Sequence, residues 1–244
     1  MMNLSPQNFT IVLGHGAWAD GSGWKDVILG LARQGLRAVA APIPLTSLID
    51  DAAALQRAIS RTDGSVIVAG HAYAGAVVAT ANDERVKALV YIAALAPDEG
   101  ETVAQMFYRD EKHPLSPQLG PDADGFIWMP DEGFRTAFSQ HATPEQIALA
   151  TAVQRPISVK CIQEPVLKPA WRSKPSWFLI AEEDRMINPK TQQFMAKRMG
   201  AQTRSFAVDH TPLLSAPDRV VDVIMEAAHS VGRSEKPAFS HTTR

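Results

Sequence analysis

The chain carries a single cysteine, Cys161, among its 244 residues. That excludes an intrachain disulfide and a cysteine-built zinc cluster, and makes a reducing, cytoplasmic setting the expected one. Surplus charge is missing too. Lysine and arginine number 24 against 26 aspartates and glutamates, a net −2, and no long basic run occurs. Nucleic acid and anionic membrane therefore lack electrostatic support as partners. No apolar run reaches the ~18 residues of a membrane span. The opening MMNLSPQNFT has no basic segment followed by an apolar one, so no secretory signal is expected there. The histidines form no HxxxH pair, no glycine-rich dinucleotide loop follows the first strand, and no P-loop exists. Neither a metal nor an organic cofactor is expected on that basis.

What is present is ordinary for a globular chain: 45% hydrophobic and 20% charged residues. The length suits one α/β domain with an insertion. Short apolar runs bounded by turn formers read as strands: Phe9 to Leu13, Arg37 to Ala41, Val66 to Ala69, Val86 to Ala93, Trp177 to Ala181 and Ser205 to Val208. Several are continuous rather than alternating, as strands covered on both faces are. Helical patterns separate them. GWKDVILGLARQG gathers Trp24, Val27, Ile28, Leu31 and Ala32 on one face, with Gly35 where a C-cap belongs. SLIDDAAALQRAIS, PKTQQFMAKRMG and SAPDRVVDVIMEAAHS behave similarly, the last with Pro217 near its first turn. This alternation predicts an α/β fold, a mainly parallel sheet with helices on both faces.

The alternation breaks over residues 97–171, which are rich in Pro, Asp and Gly before turning helical. That stretch is far longer than an ordinary loop and reads as an inserted cap. Pro114, Pro117, Pro121 and Pro130 argue against regular strands in its first half. The core is then 1–96 with 172–230, and the polar 231–244 reads as a frayed tail.

The stretch SVIVAGHAYAGAVVATAN, Ser65 to Asn82, places a buried strand, a tight small-residue turn and a helix in succession. This is the context of a nucleophile elbow, in which a strained tip lifts one side chain above the sheet. Gly70 and Ala74, two positions either side of the tip, are small because strand and helix nearly collide there, and Gly75 gives further room. The tip, which should hold a nucleophile, is Ala72. His15-Gly16-Ala17-Trp18 follows the first strand and can aim the Ala17 N–H at the elbow, beside that of Tyr73, as a two-donor oxyanion hole. Asp184 leaves a late strand in FLIAEEDRMINP, and His210 follows the last strand in VDHTPLLSAP. The order nucleophile position, acid, histidine is that of an α/β-hydrolase.

With these segments the chain resembles α/β-hydrolase-fold proteins, and within them small bacterial esterases similar to plant methyl-ester esterases and hydroxynitrile lyases. The carriers are HGAWADGSGW, GHAYAGAVV, VKALVYIAALAPDEGE, EEDRMINP and DHTPLLSAP. The family elbow usually reads Gly-His-Ser-x-Gly-Gly, so Ala74-Gly75 is a mild departure and Ala72 a severe one. The resemblance implies a nucleophile site at Ala72, a base at His210, an orienting acid at Asp184 and backbone donors at Ala17 and Tyr73. It implies no cofactor. The chemistry it suggests is ester hydrolysis. The aromatic and methionine content of the cap (Met106, Met129) suits a small apolar or aromatic ligand, and of Trp18, Tyr73, Phe107, Trp128, Phe138 and Trp171 the two most expected at the pocket are Trp18 and Trp128. A homodimer is compatible with the chain.

Glu183 and Asp98 compete with Asp184 for the acid. His15 and His71 are expected to serve structure, and His113 and His141 to lie in solvated parts of the cap. Alanine has no lone pair with which to attack a carbonyl, so the acyl-enzyme route is closed as the chain stands. Three accounts of Ala72 stay open at this level. The first is a serine hydrolase inactivated by a Ser→Ala replacement. The second is a natural lyase or cofactor-free oxygenase using the His210–Asp184 pair as a base; a lyase would recruit a cap cation such as Lys160 or Lys168. The third is a binding module without turnover.

Overall fold

Alternate residues of the central strands enter two different cores. In β3 (Ser65–His71), Val66 and Val68 join one apolar cluster, and Ile67 and Ala69 the other. β4 (Val86–Ile92) and β7 (Ser176–Ala181) divide in the same way. Strands buried on both faces explain the continuous apolar runs. A computed structural model of the chain describes residues 9–234. In it six strands form one sheet in the order β2-β1-β3-β4-β7-β8, every pair parallel. β1 is Phe9–Gly14, β2 Arg37–Ala40 and β8 Gln202–Phe206.

α1 (Lys25–Arg33) and the last helix, α10 (Pro217–Ser234), contribute to one core. α2 (Leu48–Ser60), α3 (Ala74–Val78) and α8 (Pro189–Arg198) contribute to the other. The fold is the α/β-hydrolase arrangement expected from the sequence. Most strand ends fall within two residues of the expected ones, and two boundaries differ by more. The last strand begins three residues earlier than the apolar pattern suggests, because Gln202 to Ser205 are exposed at the sheet edge and carry no apolar signal. The tail does not begin at residue 231 as its polarity suggests, because α10 runs to Ser234. Val231 is buried there, continuing the stripe of Val220, Val223, Ile224, Ala227 and Ala228. The rest of the expected tail, and residues 1–8 with most of the opening segment, lie outside the described residues.

Between β4 and β7 the chain leaves the sheet. It forms α4 (Val103–Phe107), a two-residue β5 (Phe126–Ile127), α5 (Asp131–Gly133), a π-helical turn (Phe134–Phe138), α6 (Pro144–Ala152), β6 (Ile157–Ser158) and α7 (Val159–Gln163). β5 and β6 pair antiparallel, past most of the prolines. Met129, Phe134, Phe138, Ile157 and Cys161 belong to the same core as Ala72 and Tyr73, so this insertion is packed onto the elbow rather than tethered beside it. α9 (Pro212–Ser215) links the His210 loop to α10. Among the described residues no helix is long and apolar enough to cross a membrane.

Candidate active site

β3 ends at His71 and α3 begins at Ala74, leaving two residues to reverse the chain. The tip takes the strain: Ala72 has φ +50°, a left-handed conformation that costs a residue with a Cβ roughly 1–2 kcal/mol. Hydrogen bonds fix it from both sides. Its N–H donates to Ile92 O (3.2 Å), and its carbonyl accepts from Gly75 N (3.1 Å) and Leu95 N (3.0 Å). The small residues around it are obligatory. A Cβ on Gly70 would stand 2.8 Å from Ala74 O, and one on Gly75 only 2.3 Å from Leu95 O.

The first loop meets the tip. A Cβ on Gly16 would lie 3.0 Å from the Ala72 methyl, so the Gly16-Ala17 backbone runs directly against the elbow. Among the described residues neither the Ala17 nor the Tyr73 amide donates to a protein acceptor, whereas the Trp18 amide is committed to Arg155 O (3.1 Å). Two available donors thus flank the space above Ala72.

His210 is 2% exposed and its Nδ1 lies 2.8 Å from Asp184 Oδ2. Because a carboxylate only accepts, Nδ1 carries the proton and Nε2 is left as the basic nitrogen. Asp184 is itself held. Oδ1 accepts from Met186 N (2.7 Å) and Ile187 N (2.8 Å), and Oδ2 also accepts from Gln192 Nε2 (2.7 Å). Gln192 is fully buried and its Oε1 accepts from Ala181 N at the end of β7. It orients the acid, and no sequence motif marks it. The rival acids face elsewhere: Glu183 pairs with His141, and Asp98 with Arg172.

His71 donates from Nε2 to the His210 carbonyl (2.7 Å). Burial, reinforced by the neighbouring His210, holds its pKa well below the ordinary histidine value. His15 bonds from Nδ1 to Gly16 O (3.0 Å), and burial lowers its pKa as well. Both imidazoles therefore bond to backbone around the two turns. His113 accepts from Leu115 N in an exposed loop.

Above the tip lies a cavity of about 600 Å³, counted out to its open mouth, bounded by Ala17, Trp18, Ala72, Tyr73 and His210. Its remaining walls are largely apolar, from Leu95, Val103, Phe107, Leu119, Ile157 and Met186 among others. Trp18 sits in its wall with Nε1 donating to Ile127 O (2.9 Å). Trp128 does not. Its side chain is half exposed and donates to Asp122 Oδ2 (3.1 Å), because the β5 strand turns its predecessor Ile127 inward instead. Phe138 fills the place expected of a second aromatic, edge-on to Trp18 (81°, 5.9 Å) and 5.2 Å from the His210 ring. Neither Lys160 nor Lys168 reaches the cavity. Among the described residues no group of three metal-ligating side chains is assembled.

The arrangement can polarise a carbonyl between two amides and move a proton through His210, in a largely apolar setting. Known proteins share the fold that builds it. A family model described as alpha/beta hydrolase family matches residues 11–223. Norfluorocurarine synthase 2 from a Strychnos species is 24% identical over 250 residues, covering 89% of this chain and 93% of that one. Among solved structures, a methylesterase from Arabidopsis superposes with a TM-score of 0.76 at 17% identity, over 91% of this chain and 99% of its own. A histidine-to-alanine variant of tomato methylketone synthase I, complexed with beta-ketoheptanoate, gives 0.79 at 16% identity, over 92% and 99%. With its fold, its elbow and its matched length, the chain belongs to the alpha/beta hydrolase family.

Proposed function

We propose that the cavity is the acyl-transfer site of a carboxylic ester hydrolase for small apolar or aromatic substrates, complete except for the nucleophile's oxygen, with Ala72 standing in place of serine. The observation that carries this reading is the strain kept at the tip. An ordinary strand-to-helix junction has no need of an alanine at φ +50°, held by three backbone bonds and lining the same cavity as the histidine of a buried His–Asp pair. An ester carbonyl oxygen would accept from the Ala17 and Tyr73 amides. A serine oxygen at position 72 would bond to the carbonyl carbon while His210 Nε2 takes its proton, Asp184 stabilising the imidazolium. Collapse of the tetrahedral species would expel the alkoxide, which receives that proton and leaves as the alcohol. The apolar walls favour an uncharged substrate.

With alanine no such bond forms. In subtilisin, stripping the triad of its serine costs about 10⁶ in turnover, and a loss of that order is expected here. The test is Ala72→Ser: the variant should hydrolyse an activated aryl ester with a burst of one alcohol per site. A burst-free, unaltered background rate would sink the reading.

A second reading rests on what remains after the oxygen is gone. A base and two oxyanion donors suffice to move a proton on a bound carbonyl compound through an enolate, whose oxygen would occupy the same hole. The solved neighbour complexed with a β-keto acid lends this reading its support. Here the Ala72 protein itself should turn over an activated carbonyl compound, and His210→Ala should abolish it.

A further inference from the structure

A buried carboxylate lies beneath the elbow and takes no part in the chemistry above. Asp51, in the first turn of α2, is fully buried. Among the described residues no cation pairs with it; three donors from three separate segments do the compensating. Leu45 N donates to Oδ1 (2.7 Å), while the Tyr73 phenol (2.6 Å) and, more weakly, the Cys161 thiol (3.5 Å) donate to Oδ2. Leu45 lies in the loop after β2 at φ +62°, Tyr73 on the elbow and Cys161 in α7. The Leu45 carbonyl in turn accepts from Ser158 N, so the insertion and this loop are tied at the same point.

Tyr73 is the residue after the tip, and its two ends do different things. Tyr73 lines the cavity and its amide has no protein acceptor among the described residues, while its phenol bonds to Asp51. Packing alone would be served by phenylalanine, since the ring is 3% exposed. Beyond packing, the hydroxyl contributes its bond to Asp51 and a contact with the Cys161 thiol; because Asp51 is itself held by Leu45 N and Cys161, that bond ties the elbow to a fixed point. We propose that Asp51 is a positioning residue: through the Tyr73 phenol it sets the direction of the Tyr73 amide in the oxyanion hole. This rests on the ester-hydrolase reading of the site.

The test is made in the Ala72→Ser protein, with an aryl ester and an aryl phosphonate as probes. Tyr73→Phe added to it should lower kcat by about 10- to 100-fold, less than the 10²–10³ seen when an oxyanion donor is removed outright, with KM changed less than about threefold. Phosphonate labelling should slow in parallel, because the phosphoryl oxygen uses the same hole. Asp51→Ala should behave like Tyr73→Phe. Asp51→Asn, which keeps a hydrogen bond by donating to the phenol oxygen, should recover most of the rate. A purely structural pair would instead lower Tm and leave kcat and the labelling rate alone.

Equal kcat in Ala72→Ser and its Tyr73→Phe derivative overturns this inference while leaving the site reading intact. No adduct on Ala72→Ser itself overturns both. If Tyr73→Phe does not fold, the contrast between Asp51→Ala and Asp51→Asn decides. If none of the three folds in the folded Ala72→Ser background, the network is a stability element and the inference fails.

Discussion

The imidazole of His71 donates from Nε2 to the main-chain oxygen of His210 at 2.7 Å, and the two rings lie 4.9 Å apart. The residue just before the elbow's tip thus holds the loop that carries the base, across 139 positions of sequence. This bond needs a proton on His71 Nε2, and burial disfavours a second proton on Nδ1.

A pH dependence follows. Both His71 and His15 have folded pKa values depressed below 6.5 by burial. Below about pH 6.5 the unfolded chain binds more protons than the folded one, so stability is fully present above that value and falls as pH drops toward the folded values. His71→Gln can keep a donor to the His210 carbonyl but cannot titrate. Its denaturation midpoint should fall less steeply than the parent's between about pH 6.5 and 5, by up to one proton's worth, ~1.4 kcal/mol per pH unit. Parallel profiles for the two proteins would assign the acid sensitivity elsewhere.

The acid's role is tested by Asp184→Asn in the Ala72→Ser protein. An amide nitrogen facing His210 Nδ1 would force the proton onto Nε2 and remove the base while leaving the packing intact. Turnover of an aryl ester should drop by about 10⁴, the size of the tautomer effect in the serine-protease triad. A loss under about tenfold would show that Asp184 does not fix the tautomer.

Gly75→Ala tests the elbow's packing. The added methyl would meet Leu95 O, which cannot withdraw freely because the Leu95 amide is bound to Ala72 O. The expected cost is about 2–3 kcal/mol, or a Tm lower by roughly 5–10 °C. Gly120→Ala, placed in open space, should shift Tm by no more than about 2 °C. Similar small shifts in both variants would remove the collision as the reason for glycine.

These residues also show what a sequence can reveal here. The sheet is legible because β3, β4 and β7 are buried on both faces along most of their length and so spell out nearly continuous apolar runs. The start of β8 is not, because an edge strand of Gln, Thr, Arg and Ser has no such signature. Ala72, Asp184 and His210 stand out by order along the chain, since each leaves a strand at the same end of the sheet. Gln192 and Asp51 do not: each lies inside a helix, and only the fold brings one to Asp184 and the other to Tyr73. Trp128 misleads because a two-residue strand sends neighbours to opposite faces, and the register of so short a ladder cannot be read from composition.

The most direct measurement is the intact mass of the Ala72→Ser protein after exposure to an aryl phosphonate. One phosphonyl group should be gained per chain and map to residue 72, with no gain on the Ala72 parent and none on an Ala72→Ser/His210→Ala double variant. A folded Ala72→Ser protein whose mass stays unchanged would contradict the claim that Ala72 occupies a nucleophile's place.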